Sequence, residues 1–219
     1  MDGQISNSGV TVSGGTLSGN GVLGGPVVVQ TGARLMPGDS VGQLTINNSL
    51  QLDAGSTTVM ELNTAAGTND SIVGLTSISY GGTLVVTNVG GTLSAGDSFP
   101  LFVASPGTYG GAFDTIILPT LTGALRWDTN GLPVDGTIKV VATGAKINSV
   151  VIVGTALVLS GTGGPTNGTY YVLASTNIAS PLSNWTSIAT QSFGADGSFQ
   201  FTTGLVGGIP KRFYALQVP

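Results

Sequence analysis

The sequence predicts an all-β protein in two parts: a β-solenoid over residues 1–144, then a small antiparallel β-sandwich over residues 145–219. Three observations predict it. The apolar residues come in short runs bounded by Gly, Asn, Asp and Ser, the pattern of strands between tight turns. No aromatic residue occurs before Tyr80, whereas residues 145–219 carry eight of the 14. A short motif recurs, with Gly14-Gly15-Thr16-Leu17-Ser18 returning as Gly90-Gly91-Thr92-Leu93-Ser94 and its core as Gly81-Gly82-Thr83-Leu84.

The composition agrees with folded β structure. Glycine contributes 36 of 219 residues, far above the usual ~7%, and charged residues only 7% against a usual ~25%. Disorder requires low hydrophobicity and high net charge; here 41% of residues are hydrophobic and the net charge is −4. Glycine then reads as turn chemistry, because turns need positive φ.

In the first part the expected strands are Val10–Val12, Val27–Val29, Leu44–Ile46, Leu50–Leu52, Val59–Leu62, Leu84–Val86, Phe99–Val103, Ile116–Leu118 and Ile138–Val141. Their spacing of roughly six to twelve residues fits a sandwich or a solenoid. The missing aromatics favour the solenoid, which stacks small aliphatic side chains in columns. No stretch carries a helical period long enough for a helix, since Pro and Gly interrupt the windows. The composition shifts near Gly144. Beyond it, strands are expected at Val150–Val153, Ala156–Leu159, Tyr170–Leu173, Trp185–Ala189, Phe199–Phe201 and Phe213–Val218. Turns are expected at Gly163–Gly168 and Ala195–Gly197.

The segments Leu17-Ser18-Gly19-Asn20-Gly21, Gly24-Gly25-Pro26-Val27-Val28-Val29 and Pro37-Gly38-Asp39-Ser40-Val41-Gly42-Gln43-Leu44-Thr45-Ile46 resemble the autotransporter-associated β-strand repeat. The likeness covers residues 9–62, and more loosely the chain to about 140. The tail, through Tyr170–Asn177, Trp185-Thr186, Gly197-Ser198-Phe199 and Phe213–Pro219, is similar to C-terminal modules of large secreted proteins of verrucomicrobial and planctomycete bacteria. The resemblance implies a right-handed parallel β-helix and an extracellular or cell-surface location. It implies no chemistry.

The residues themselves exclude several classes. There is no His and no Cys, which removes the commonest general base, thiolate nucleophiles, disulfides and the usual zinc ligands. Six basic residues, scattered except for Lys211-Arg212, offer no phosphate-binding patch, so no nucleic-acid partner is expected. No apolar run approaches the ~18 residues of a membrane-spanning helix. The N-terminus has no leader-like segment, so the chain is expected to be processed or part of a larger protein.

Candidate chemistry is sparse. The acids sit in turn contexts such as Pro37–Ser40, Ala95–Ser98, Val134–Gly136 and Ala195–Gly197, where Asp bonds nearby backbone N–H groups. Asp128 and Asp135 are the least implausible carboxylate pair for glycoside hydrolysis. Asn69-Asp70 and Asp128-Thr129-Asn130 offer oxygen ligands without the spacing of a calcium loop. Trp185, Tyr170 and Tyr171 could stack on a sugar, although aromatic residues in strands more often fill a core. No catalytic, cofactor or metal residue is assigned, and no cofactor is expected. The expected function is that of a non-enzymatic extracellular structural protein, a self-assembling subunit of a fibre, filament or sheath. A carbohydrate-binding or adhesive module is the alternative, and a polysaccharide-active enzyme is a distant third. The expected partners are further copies of the chain, head to tail, with residues 1–12 at the junction and residues 145–219 of the neighbour as acceptor, together with surface polysaccharide.

Overall fold

The structure is a computed structural model and describes residues 2–122, 125–205, 207–208 and 211–218. Strand makes up 56% of the chain and helix 3%, so the fold is all-β. Two compact units are present: residues 1–120 with 127–140, and residues 121–126 with 141–219.

In the first unit the chain runs through five successive courses, each adding a strand segment to three parallel columns. The first course is β1 (Gln4–Ile5), β2 (Val10–Val12) and β3 (Thr16–Gly19). The second is β4 (Val22–Leu23), β5 (Val27–Val29) and β6 (Arg34–Pro37). The third is β7 (Gln43–Ile46), β8 (Ser49–Leu52) and β9 (Thr57–Asn63), followed by a short hairpin strand, β10 (Thr68–Asn69). In the fourth, β11 (Ser71–Tyr80) serves the first two columns and β12 (Thr83–Gly90) the third. After β13 (Ser98–Pro100), the fifth course is β14 (Phe102–Gly111) and β15 (Thr115–Ile117).

The register shows why the repeat is hard to see in the sequence. In the second column Val10 pairs with Val27, Val27 with Leu50, Leu50 with Ile78 and Ile78 with Tyr109, all parallel. The step therefore lengthens from 17 residues to 23, 28 and 31. In the first two columns the buried pairs are aliphatic: Leu23 over Ile46, Leu44 over Ile72, and Val29 over Leu52. Stacking like on like buries both ends of each pair without large rings. Aromatic residues enter only where the course has grown, with Tyr80 packing edge-on to Phe102 at 5.2 Å and beside Phe113 at 4.8 Å.

Two of the three Gly-Gly-Thr-Leu copies occupy the same corner of the fold. Gly15 and Gly82, both at positive φ, turn the chain into β3 and β12, and Thr16 and Thr83 open the third column. The copy at 90–93 does not: Gly90 ends β12, and no strand begins at Thr92.

The fifth course is followed by a covering segment. Strands β16 (Leu125–Asp128) and β17 (Thr137–Ala142) join β13 in a three-stranded sheet, with the one-turn helix α1 (Leu132–Asp135) between them. Gly136 carbonyl accepts the N–H groups of Leu101 and Phe102, and Tyr80 hydroxyl donates to Leu132 carbonyl at 2.9 Å. Gly136 sits at φ 73°, and a Cβ there would lie 1.8 Å from Phe102 carbonyl oxygen, so only glycine fits. The expected single strand Phe99–Val103 is thus two strands, divided at Leu101. The helical turn was not expected, because four residues carry no period.

The second unit holds two three-stranded antiparallel sheets. One is β18 (Lys146–Val153), β19 (Ala156–Thr162) and β22; the other is β20 (Thr169–Ser175), flanked by β21 (Thr186–Ser192) and β23. Strands β22 and β23 are Phe199–Gly204 and Phe213–Gln217. Leu157, Leu159, Phe199 and Phe201 from the first sheet share one core with Tyr170 and Val172 from the second and with Phe193 beyond β21. Two antiparallel sheets over one core make a β-sandwich.

Candidate functional site

The acidic residues mark where chemistry would have to come from, and the structure commits seven of the ten to backbone N–H groups, while Asp53 accepts the Gln51 amide. Asp97 accepts Ser94 N–H, Asp128 accepts Asn130 N–H, Asp135 accepts Thr137 N–H and Asp196 accepts Ser198 N–H, each closing a local turn. Others tie successive courses. Asp2 accepts Asn20 N–H, and Asp114 accepts Gly82 N–H. Asp128 and Asp135 are therefore each turned to their own loop. Asp196 is held below the usual carboxylate range by hydrogen bonds from the Ser198 hydroxyl and N–H.

One group of acids is different. Asp39, Glu61 and Asp70 line a groove of about 210 Å³ in the first unit, beside Thr16, Met36 and Ser40. Asp39 belongs to the Pro37–Ser40 turn after β6, Glu61 to β9, and Asp70 to the junction of β10 and β11. Asp70 is only 2% exposed. Its Oδ1 accepts Gly42 N–H at 2.7 Å, and its Oδ2 accepts Glu61 N–H at 2.8 Å. Burial is the largest influence on its carboxyl and pushes its pKa up to about 6; the Glu61 carboxylate adds to the rise, and the two N–H groups oppose it. Glu61 Oε2 is buried with no hydrogen-bond partner.

That groove is acidic, but its best-placed carboxylate already uses both oxygens on backbone. It ties the loop before β7 to β9. Among the described residues no three His, Cys, Asp or Glu side chains are grouped to hold a metal ion. Asn69 holds two backbone carbonyls, its amide N–H groups donating to those of Asp70 and Pro100.

The three aromatic candidates do not form a platform. Tyr170 is 1% exposed and packs on Phe193 at 4.6 Å and Phe199 at 5.4 Å, at the centre of the sandwich core. Burial raises its pKa above the ordinary tyrosine value. Tyr171 follows it on β20 and so faces the opposite side of the sheet. Trp185 donates its indole N–H to Ser180 carbonyl, closing the loop around the 3₁₀ turn Leu182–Asn184.

Among the described residues no helix is long and apolar enough to cross a membrane. No protein-family model matches the chain, and no curated protein matches it.

Proposed function

We propose that the protein is a non-catalytic, extracellular structural protein whose first unit is a right-handed β-solenoid shaft and whose copies associate into a fibre, filament or sheath. The carrying observation is how the carboxylates are used. Asp2, Asp70, Asp97, Asp114, Asp128, Asp135 and Asp196 all accept backbone N–H groups. Acids spent on holding turns and courses serve shape. The extracellular setting and the handedness rest on the likeness of residues 17–46 to the passenger-type repeat.

Self-association is supported by the lateral edge of the second unit. Among the described residues β18 pairs with β19 alone. Along it Val150 is 61% exposed, Val151 47%, Ile152 64% and Val153 64%. Neighbours on a strand point to opposite faces, so both faces of this edge are apolar, a composition usual for strands covered on both sides. β18 opens with Lys146 and a bulge between Ile147 and Ser149, two of the devices that guard a single edge, but no charge or Pro interrupts Val150–Val153 beyond them. With only 16 charged residues in 219, little repulsion opposes contact between copies. Stacking on the β14 side would have to displace α1, which packs against β14, whereas at the other end of the first unit β1, β2 and β3 are each paired on one side only among the described residues.

Light scattering on the purified chain across a hundredfold concentration range tests this. The expected result is growth of species larger than a monomer, with filaments in negative stain, reduced in an Ile152→Lys variant. A chain that stays monomeric throughout overturns the reading.

A further inference from the structure

A second feature of the sandwich unit has a chemistry of its own. A cleft of about 530 Å³ opens along it, lined by Asn148, Ser160, Thr162, Tyr170, Gln191 and Phe199 among others. Its size falls within the roughly 300–1,000 Å³ of small-molecule sites. It is formed where the bulged start of β18 meets the ends of β19, β21 and β22.

Three properties define what it can hold. First, no charged side chain lines it, whereas phosphates, carboxylates and ammonium groups are bound by opposite charge. Second, its polar groups are amides and hydroxyls that are already oriented. Tyr170 and Gln191 are direct cross-strand partners, and the Tyr170 hydroxyl donates to Gln191 Oε1 at 2.5 Å. That bond fixes the amide and leaves the two N–H groups of Gln191 Nε2 to donate. Asn148 Nδ2 donates to Thr162 Oγ1 at 2.9 Å, leaving Asn148 Oδ1 as an acceptor and the Thr162 hydroxyl as a donor. Third, the floor is closed by the core itself, with the buried rings of Tyr170 and Phe199 5.4 Å apart beneath the polar fringe, so recognition falls to the amides and hydroxyls. The backbone is close there too, since a Cβ on Gly161 would lie 1.8 Å from Lys146 carbonyl oxygen and 2.6 Å from the Phe199 ring.

We infer that this cleft binds a neutral glycan. A sugar without acidic groups presents many hydroxyls, each both donor and acceptor, around C–H surfaces. It matches a pre-oriented set of neutral donors and acceptors, and its recognition needs no charge. The inference does not depend on self-association, and it places recognition on residues other than the Trp185–Tyr171 surface.

Calorimetric titration of the full chain with neutral hexasaccharides of glucose, xylose, mannose and N-acetylglucosamine, and with an oligogalacturonate as the acidic control, is the test. At least one neutral oligosaccharide should bind with a dissociation constant in the micromolar to millimolar range, and the acidic one should not. Gln191→Ala and Asn148→Ala, both at exposed positions, should each weaken binding roughly five- to tenfold, the effect of losing one or two neutral hydrogen bonds. Trp185→Phe should leave binding unchanged. Circular dichroism confirms that each variant is folded, and Gln200→Ala, at another exposed lining position, repeats the measurement independently. Absence of binding across the neutral panel overturns the inference. So does binding that survives all three cleft variants, is lost with Trp185, or is equally strong for the acidic control.

Discussion

At the residue scale Asp70 is the clearest case of sequence and environment in conflict. Its carboxyl is buried beside Glu61, with Asp39 lining the same groove, and its pKa rises from 3.8 to about 6. The sign follows directly. Between about pH 4 and pH 6 the folded chain keeps a proton that the unfolded chain has released, so folding loses stability as pH rises through that window and levels off above it. The loss is at most about 3 kcal/mol, because each pKa unit corresponds to about 1.4 kcal/mol. Urea unfolding at half-unit intervals from pH 4 to pH 7 should show this decline, and Asp70→Asn should flatten it. The variant should also be less stable at pH 4.5, since an amide can accept only one of the two N–H groups that the carboxyl serves. A wild-type profile that stays level from pH 4 to pH 6 would refute the assignment. Little of this was legible beforehand. Asn69-Asp70 stood out as possible ligands, but nothing in the local sequence says that Gly42, 28 residues earlier, donates to Asp70.

At the element scale, one ladder of the third column runs Leu17, Leu35, Thr58, Leu84, Ile116 through registered parallel pairs, buried from Leu35 to Leu84 and exposed at Ile116. Thr58 is the one polar member. It is 1% exposed, and its Oγ1 has no hydrogen-bond partner. A buried hydroxyl without a partner costs about 1–3 kcal/mol, and Val has the same branched shape on a strand. Thr58→Val is therefore expected to raise the unfolding free energy by about 1 kcal/mol; an unchanged or lowered urea midpoint would refute this. The ladder also shows which elements the sequence revealed. Column two reads easily as far as β8, because Val10–Val12, Val27–Val29 and Leu50–Leu52 alternate or run apolar. In column one only Leu44–Ile46 is expected, and the two-residue strands β1 and β4 and the long β11, polar at Ser71, Thr76, Ser77 and Ser79, are missed. The third column was partly hidden. Its strand β6 ends on Pro37, a residue normally read as a strand breaker, and β3 ends on Gly19. The helix α1 escaped for lack of length. Pro133 near its start and Gly136 at its left-handed end are the available signals, and Val134–Gly136 alone reads as an ordinary Asp turn.

At the scale of the whole molecule, two units with separate cores imply two folding events. The aromatic cluster around Tyr170 lies entirely within residues 145–218. A fragment of residues 141–219 should accordingly give a β-type circular dichroism spectrum and a single cooperative urea transition. A spectrum without β signal, or a broad non-cooperative transition, would show that its core needs the rest of the chain. The sequence announced this unit through its aromatic content, and it announced the first through a stretch of 79 residues with none before Tyr80. The neutral cleft was not visible in advance. Asn148, Thr162 and Gln191 are ordinary surface residues in sequence, and only the bulge in β18 and the Tyr170–Gln191 register bring them to one opening.

The lengthening step from 17 to 31 residues has a consequence for assembly of the chain itself. In an array of identical repeats, a strand can dock one course too early or too late at little cost, and such slips trap a folding chain. Here each course differs in contour from the one before. A strand displaced by a whole course would leave one corner too short to close and another with slack. Unequal lengths give every strand a single address, so a fold made of repeated pairings carries its own proofreading.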